Sequence, residues 1–164
     1  MSTPRRSRTF EWHDPQVYLK PLRELTGLEF LQQFTNGTLP RPPIGDLMDL
    51  SLVEVGDGRA VFVVDPAEFH YNPIGVVHGG VAATLLDSAM SCAIQTKMPK
   101  GVGYTTLEIK VNFVRALTAT TGQVRSEGTV VHVGKRTATA EGRIVDHGGK
   151  LYAHATTTCI VLPQ

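Results

Sequence analysis

Between Pro21 and Thr35 the apolar residues Leu22, Leu25, Leu28, Leu31 and Phe34 recur at every third position. That spacing predicts a helix with one buried face, which Gly27 can split. Residues 1–20 before it are polar and irregular, with Pro4, Pro15 and the amphipathic pair Phe10 and Trp12. After it, "NGTLPRPPIGD" carries Asn36-Gly37 and three prolines and reads as a loop. From Leu50 the period shortens to two. "LSLVEVGDGRAVFVVDP" predicts two strands joined at Gly56-Asp57-Gly58. Beyond a turn at Asn72–Gly75, "GVAATLLDSAMSCAIQTKM" is the longest helical stretch. It starts at Gly79 or Gly80, runs to about Lys97, and is ended by Pro99 and Gly101. Being nearly apolar throughout, it is expected to be buried rather than amphipathic. Strands follow at about 103–115, 121–134, 136–146 and 150–162, with turns at Leu117–Gly122, Gly134-Lys135-Arg136 and Asp146–Gly149.

The order is helix, two strands, buried helix, four strands. A long apolar helix needs cover on nearly all sides, and one strongly curved antiparallel sheet can wrap it. The expected class is therefore α+β with a hotdog fold, the sheet wrapped around the long helix and an extra N-terminal helix added. Another α+β sandwich is the alternative. At 164 residues the chain suits one domain, expected over 21–164, behind a flexible arm over 1–20. Its formal charge of +1 argues against a general nucleic-acid binder, and Arg5, Arg6 and Arg8 in the arm read as solvated. No run approaches about 18 consecutive apolar residues, so no membrane span is expected. The basic N-terminus lacks the apolar core of a secretory signal, and the cytoplasm is the expected compartment. Cys92 and Cys159 fall in apolar segments and read as small core residues.

The chemistry concentrates in "YNPIGVVHGGVAATLLDSAM", Tyr71 to Met90. Gly79 and Gly80 let another molecule approach the backbone. A helix starting there points its first N–H groups outward, at the positive end of its dipole, where a carbonyl gaining negative charge is stabilised. The glycines equally suit tight packing of the turn against the sheet, and spacing leaves both readings standing. Asp87 lies two turns inside the helix, where a carboxylate is costly unless paired or facing a polar site. Ser91, at i+4, is a possible partner. Asp87 is either hydrogen-bonded structure or a general base or nucleophile. His78 reads first as a cap and second as a titrating base. His70 and His78 are eight residues apart, which matches no standard zinc spacing, and no metal is expected. Asn72 either fixes its turn or points its amide at a substrate carbonyl.

These residues, with "GYTTLEIKVNFVRAL" and "GKRTATAEGRIVDHGGKLYAHATTTCIVL", resemble the PaaI-like acyl-CoA thioesterases of the hotdog superfamily over about residues 20–162. The resemblance implies a thioester hydrolase acting on acyl-CoA, with no cofactor beyond the coenzyme A of its substrate. It implies a homodimer with active sites shared across the interface, pairing further into a homotetramer. The Gly79 N–H would polarise the thioester carbonyl and Asp87 of the other subunit would act as general base or nucleophile. Asn72 matches an orienting position. Ser91 matches a water-holding hydroxyl of one branch and Thr106 a strand hydroxyl of another. Arg115 and the turn Gly134-Lys135-Arg136-Thr137 match coenzyme A-contacting regions, although the turn also reads as a solvated hairpin tip. Ala116 stands where many relatives carry proline after the arginine. A non-catalytic acyl-CoA sensor and a hotdog hydratase or dehydratase are the competing readings. Asp87 in the helix counts against the first and the Gly-Gly arrangement against the second. "TLPRPPIGDLMDL" is expected at the rim of the substrate mouth.

Overall fold

The computed structural model describes residues 4–162. A 3-10 turn, Pro15–Tyr18, leads into α1 (Leu19–Glu24), α2 (Gly27–Thr35) and α3 (Pro43–Met48). The strands β1 (Ser51–Gly56) and β2 (Arg59–Val64) precede the long helix α4 (Gly79–Gln95). Then come β3 (Gly103–Phe113), β4 (Val124–Val133), β5 (Thr137–Asp146) and β6 (Leu151–Leu162). The six strands form one antiparallel sheet in the order β1-β2-β4-β5-β6-β3, with α4 lying against its inner face. This is the hotdog arrangement expected from the element order.

The N-terminal helix splits where Gly27 allowed it, and the reason is a cap. Leu25 ends one segment in extended geometry and Thr26 starts the next with a capping box, its hydroxyl taking the Glu29 N–H while Glu29 takes the Thr26 N–H. Restarting there rotates the apolar face. Phe30 and Leu31 are buried, whereas Leu22 of the expected stripe is exposed. A correction falls in the stretch assigned to a loop. Pro43 at the first helical position starts α3, which ends at Asp49 in a left-handed conformation (φ 54°). The boundary expected at residue 20 lies inside α1. Within the arm, Arg8 bonds the carbonyls of Leu47 and Asp46, pairs with Asp49 at 2.8 Å and sits over the Phe69 ring.

Small residues let α4 settle on the sheet. Ala60, Gly128, Gly142 and Ala155 stand in register across β2, β4, β5 and β6. A Cβ at Gly128 would lie 2.2 Å from the Ala89 carbonyl oxygen, so helix backbone touches strand backbone at that point. Leu85, Leu86, Met90 and Ile94 then fill the core with no measurable exposure. The helix is covered on nearly all sides, as expected, with one side less so. Ala83, Thr84, Asp87, Ser88 and Cys92 form a half-buried stripe along the side that the sheet leaves open. Among the described residues no helix is long and apolar enough to cross a membrane.

One buried imidazole ties the N-terminal helices to the turn before α4. His70 Nδ1 accepts the Ala67 N–H at 3.1 Å, which leaves the proton on Nε2 to be donated to the Met48 carbonyl at 3.1 Å. Burial is the main cause that lowers its pKa below 6.5, and nearby Arg8 adds to it; the Met48 bond and Asp49 act against it. A depressed folded value means the contribution is fully present above the unfolded value and lost as pH falls through the folded one. Thermal melts are expected to show the wild type losing stability as pH falls below about 6.5. His70→Phe is expected to be less stable at neutral pH by about 1–3 kcal/mol, from two stranded backbone groups, with a shallower acid slope.

Candidate active site

The turn before α4 is built by Asn72. Its side-chain oxygen accepts the N–H groups of Ile74 (3.1 Å) and Val76 (3.3 Å), and its own N–H donates to the Val76 carbonyl (2.8 Å). The turn-fixing role thus occupies the oxygen, and the amide NH₂ hydrogen-bonds to no described residue. His78 follows in extended conformation as the N-cap of α4. Its Nδ1 accepts the Gly80 N–H at 2.9 Å, and its carbonyl accepts the Val81 N–H at 2.9 Å. Of the first three amides of the helix, only that of Gly79 finds no acceptor among the described residues. Above it lies the Phe113 ring, 3.1 Å from where a Gly79 Cβ would stand. Gly79 therefore has a packing role, as spacing allowed, and also an open amide.

Two turns on, Asp87 is half-buried on the open stripe. Its Oδ1 accepts from the Ser91 hydroxyl (3.1 Å) and the Thr106 hydroxyl (3.0 Å), which lie 3.2 Å from each other. Oδ2 has no donor among the described residues. The Ser91 bond is the i+4 pair expected from sequence. A bulge at Leu107 shifts the β3–β6 register just past Thr106. Cys159 on β6 places its thiol 3.8 Å from the Thr106 hydroxyl. Cys92, the stripe's thiol, is pushed up to about 12 by burial first and the Asp87 charge second, so it stays protonated and is no nucleophile.

The remaining candidates separate into two groups. Phe113 pairs with Ala153, and Arg115 just beyond it donates to the Leu151 carbonyl. Arg115 and Gly79 line one cleft of about 330 Å³, with Phe113 and Tyr152. Thr137, by contrast, pairs with Ile160, whose other neighbour is Thr105. The turn Gly134–Thr137, with exposed Lys135 and Arg136, is therefore at the opposite end of the sheet, about 26 Å along β3 from Phe113, two residues before Arg115. Asp87 and Gly79 are likewise apart. Eight residues of helix separate them, a rise of about 12 Å. One chain thus holds its candidate residues in two groups: Gly79 with Arg115 at one end, and Asp87, Ser91 and Thr106 toward the end of Lys135 and Arg136.

A second cavity of about 390 Å³ opens beside Ser91, between α2, α3 and α4. Arg41, Pro42, Ile44, Gly45 and Leu50 of "TLPRPPIGDLMDL" are in its lining. Sequence reasoning missed Leu31, Phe34 and Tyr104 of the same lining. The alternation in β3 that points Thr106 inward also points Tyr104 inward, and that signal could have found it.

The hotdog sheet thus carries an open amide at the start of its central helix and a carboxylate two turns along. The family profile described as "Thioesterase superfamily" matches residues 74–153. A solved structure described as from the thioesterase superfamily is 32% identical, with 83% of this chain and 98% of that one covered and a TM-score of 0.66. The chain belongs to the thioesterase superfamily. The phenylacetic acid degradation protein PaaI of Thermus thermophilus, solved as a point mutant, is 29% identical. Its alignment covers 72% of this chain and 97% of that one, with a TM-score of 0.65. The 1,4-dihydroxy-2-naphthoyl-CoA hydrolase of Listeria monocytogenes is 28% identical over 116 residues, which is 71% of this chain and 93% of that one.

Proposed function

We propose that the protein hydrolyses an acyl-CoA to the free acid and coenzyme A, as a homodimer whose active sites each draw on both subunits. The observation that carries this reading is the division of the candidate residues into two groups, each lacking what the other holds. β3 is an edge strand of eleven residues, a ready surface for antiparallel pairing with a second copy. A two-fold axis across that edge would bring the Gly79 end of one chain to the Asp87 end of the other. Lys135 and Arg136 of one chain would then meet Arg115 of the other, a set of cations suited to the phosphates of coenzyme A.

In such a site the Gly79 N–H donates to the thioester carbonyl oxygen and stabilises the charge it gains. Asp87, held by Ser91 and Thr106 through Oδ1, turns Oδ2 to a water and takes its proton as general base. The hydroxide oxygen adds to the carbonyl carbon, the C–S bond breaks, and the coenzyme A thiolate leaves and is protonated. His78 acts as a positioning residue, because its cap fixes the start of α4. Asn72 fixes the preceding turn and keeps its NH₂ available to orient the substrate.

The test is thiol release from a panel of acyl-CoAs, with the assembly weighed by sedimentation. Release from at least one acyl-CoA by a dimer or a multiple of it is expected. Tight acyl-CoA binding with no thiol released from any would replace this reading with that of a sensor.

A further inference from the structure

The cavity beside Ser91 is not needed for the hydrolytic step, yet its chemistry is specific. Leu31 and Phe34 of α2, Ile44 of α3, Leu50 and Phe62 make its walls apolar. About 150 Å³ is enough to hold one benzene ring. The 390 Å³ here therefore suits a compact acyl group. One wall is shared with the proposed site, because Ser91 both lines the cavity and donates to Asp87. Arg41, the one cation of the lining, is engaged by Asp46 at 2.7 Å and Ser51 at 3.2 Å.

Ser88 and Tyr104 bring hydroxyls to this wall that bond no described residue, and Tyr104 is the larger of the two. Its hydroxyl hydrogen-bonds to no described residue, although it lines the cavity and packs against the core. Burial first, then Cys92, Cys159 and Asp87, raise the phenol well above its ordinary value, so it presents a neutral O–H. A hydrocarbon filling the cavity would displace water from that O–H and leave it unpaired. A hydroxyl or carbonyl at the same depth would satisfy it. An anionic substituent is disfavoured, since Arg41 is already engaged and Asp87 is close.

We propose that this cavity holds the acyl group, and that Tyr104 selects acyl groups bearing a neutral hydrogen-bonding substituent over their plain hydrocarbon counterparts. The inference rests on the hydrolase reading above, and its test separates the two. Pairs of acyl-CoAs differing by one acyl hydroxyl are compared, together with the corresponding free acids. Wild type is expected to favour the hydroxylated member in kcat/KM by about tenfold or more, a ratio that Tyr104→Phe reduces to about twofold or less. The free acids report on the pocket without any hydrolysis. The hydroxylated acid is expected to raise the melting temperature more than its partner in wild type, and equally in Tyr104→Phe. Ile44→Trp, made at a half-exposed position of the rim, is expected to lower kcat/KM for bulky acyl groups relative to acetyl-CoA. The proposal is overturned if Tyr104→Phe leaves the hydroxyl preference intact, if wild type has none, or if Ile44→Trp leaves the size preference unmoved. Should no acyl-CoA be hydrolysed while the acid-induced shifts still follow Tyr104, the hydrolase reading fails and the pocket assignment stands.

Discussion

Chains carrying Asp87→Asn and chains carrying Gly79→Pro are each expected to lose nearly all thioesterase activity, and to regain part of it when the two are unfolded together and reassembled. Asparagine keeps the shape of Asp87 and its contacts but cannot take a proton from water, a loss of about 10²–10⁴ in kcat. Proline at residue 79 deletes the one open amide, and loss of such a donor costs about 10²–10³. The site tolerates the ring. Residue 79 is the first of α4, where proline is favoured, and His78 before it is already extended (φ −61°, ψ 135°). The Phe113 ring, 3.1 Å from the new Cβ, is 59% exposed and can yield. In a mixed dimer one site joins Asp87 of the proline chain to the amide of the asparagine chain, while the other site takes both lesions. With random two-fold pairing, about a quarter of the wild-type rate returns. Two folded, dimeric variants that stay inactive after mixing would show that each site lies within one chain.

Gly128→Ala is expected to damage the fold severely. The new Cβ would meet the carbonyl oxygen of Ala89 at 2.2 Å, its carbon at 2.4 Å and the Met90 nitrogen at 2.6 Å. All three are helix backbone, so relief requires α4 to lift from the sheet. Overpacking of that kind costs about 3 kcal/mol or more. The melting temperature should fall by about 6–12 °C. Gly142→Ala, next to it in register, is the control. Its Cβ would meet the Met90 side chain at 2.8 Å, and a methionine can turn aside. Scanning calorimetry should therefore rank Gly128→Ala well below Gly142→Ala, and equal losses would contradict the account of how α4 is seated.

What could be read in advance followed the range of the interactions involved. The strands and α4 announce themselves through period two, turn residues and an apolar run, and their bounds fall within a few residues of those expected. The Asp87–Ser91 pair was legible because i and i+4 face each other on any helix. Its second donor, Thr106, is nineteen residues away and reaches Asp87 only once β3 is placed in the sheet. Resemblance flagged that hydroxyl, but no local pattern could. The row Ala60, Gly128, Gly142 and Ala155 spans four strands and has no period along the chain. α3 was hidden because Pro42 and Pro43 read as helix breakers, whereas Pro43 at a helix start is preorganised. The opposed ends held by Arg115 and the Gly134–Thr137 turn are a matter of strand order, which sequence spacing does not reveal.

The cap that His78 places on Gly80 has one last consequence. Several convergent amides at a helix start usually make a nest for tetrahedral oxyanions. Here the imidazole fills one amide, the His78 carbonyl receives the next, and a single donor is left. One N–H is a pointer rather than a cage. It suits a carbonyl oxygen arriving along one line and offers little to a free phosphate or sulfate, so abundant inorganic anions are expected to compete poorly for the amide proposed to polarise the substrate.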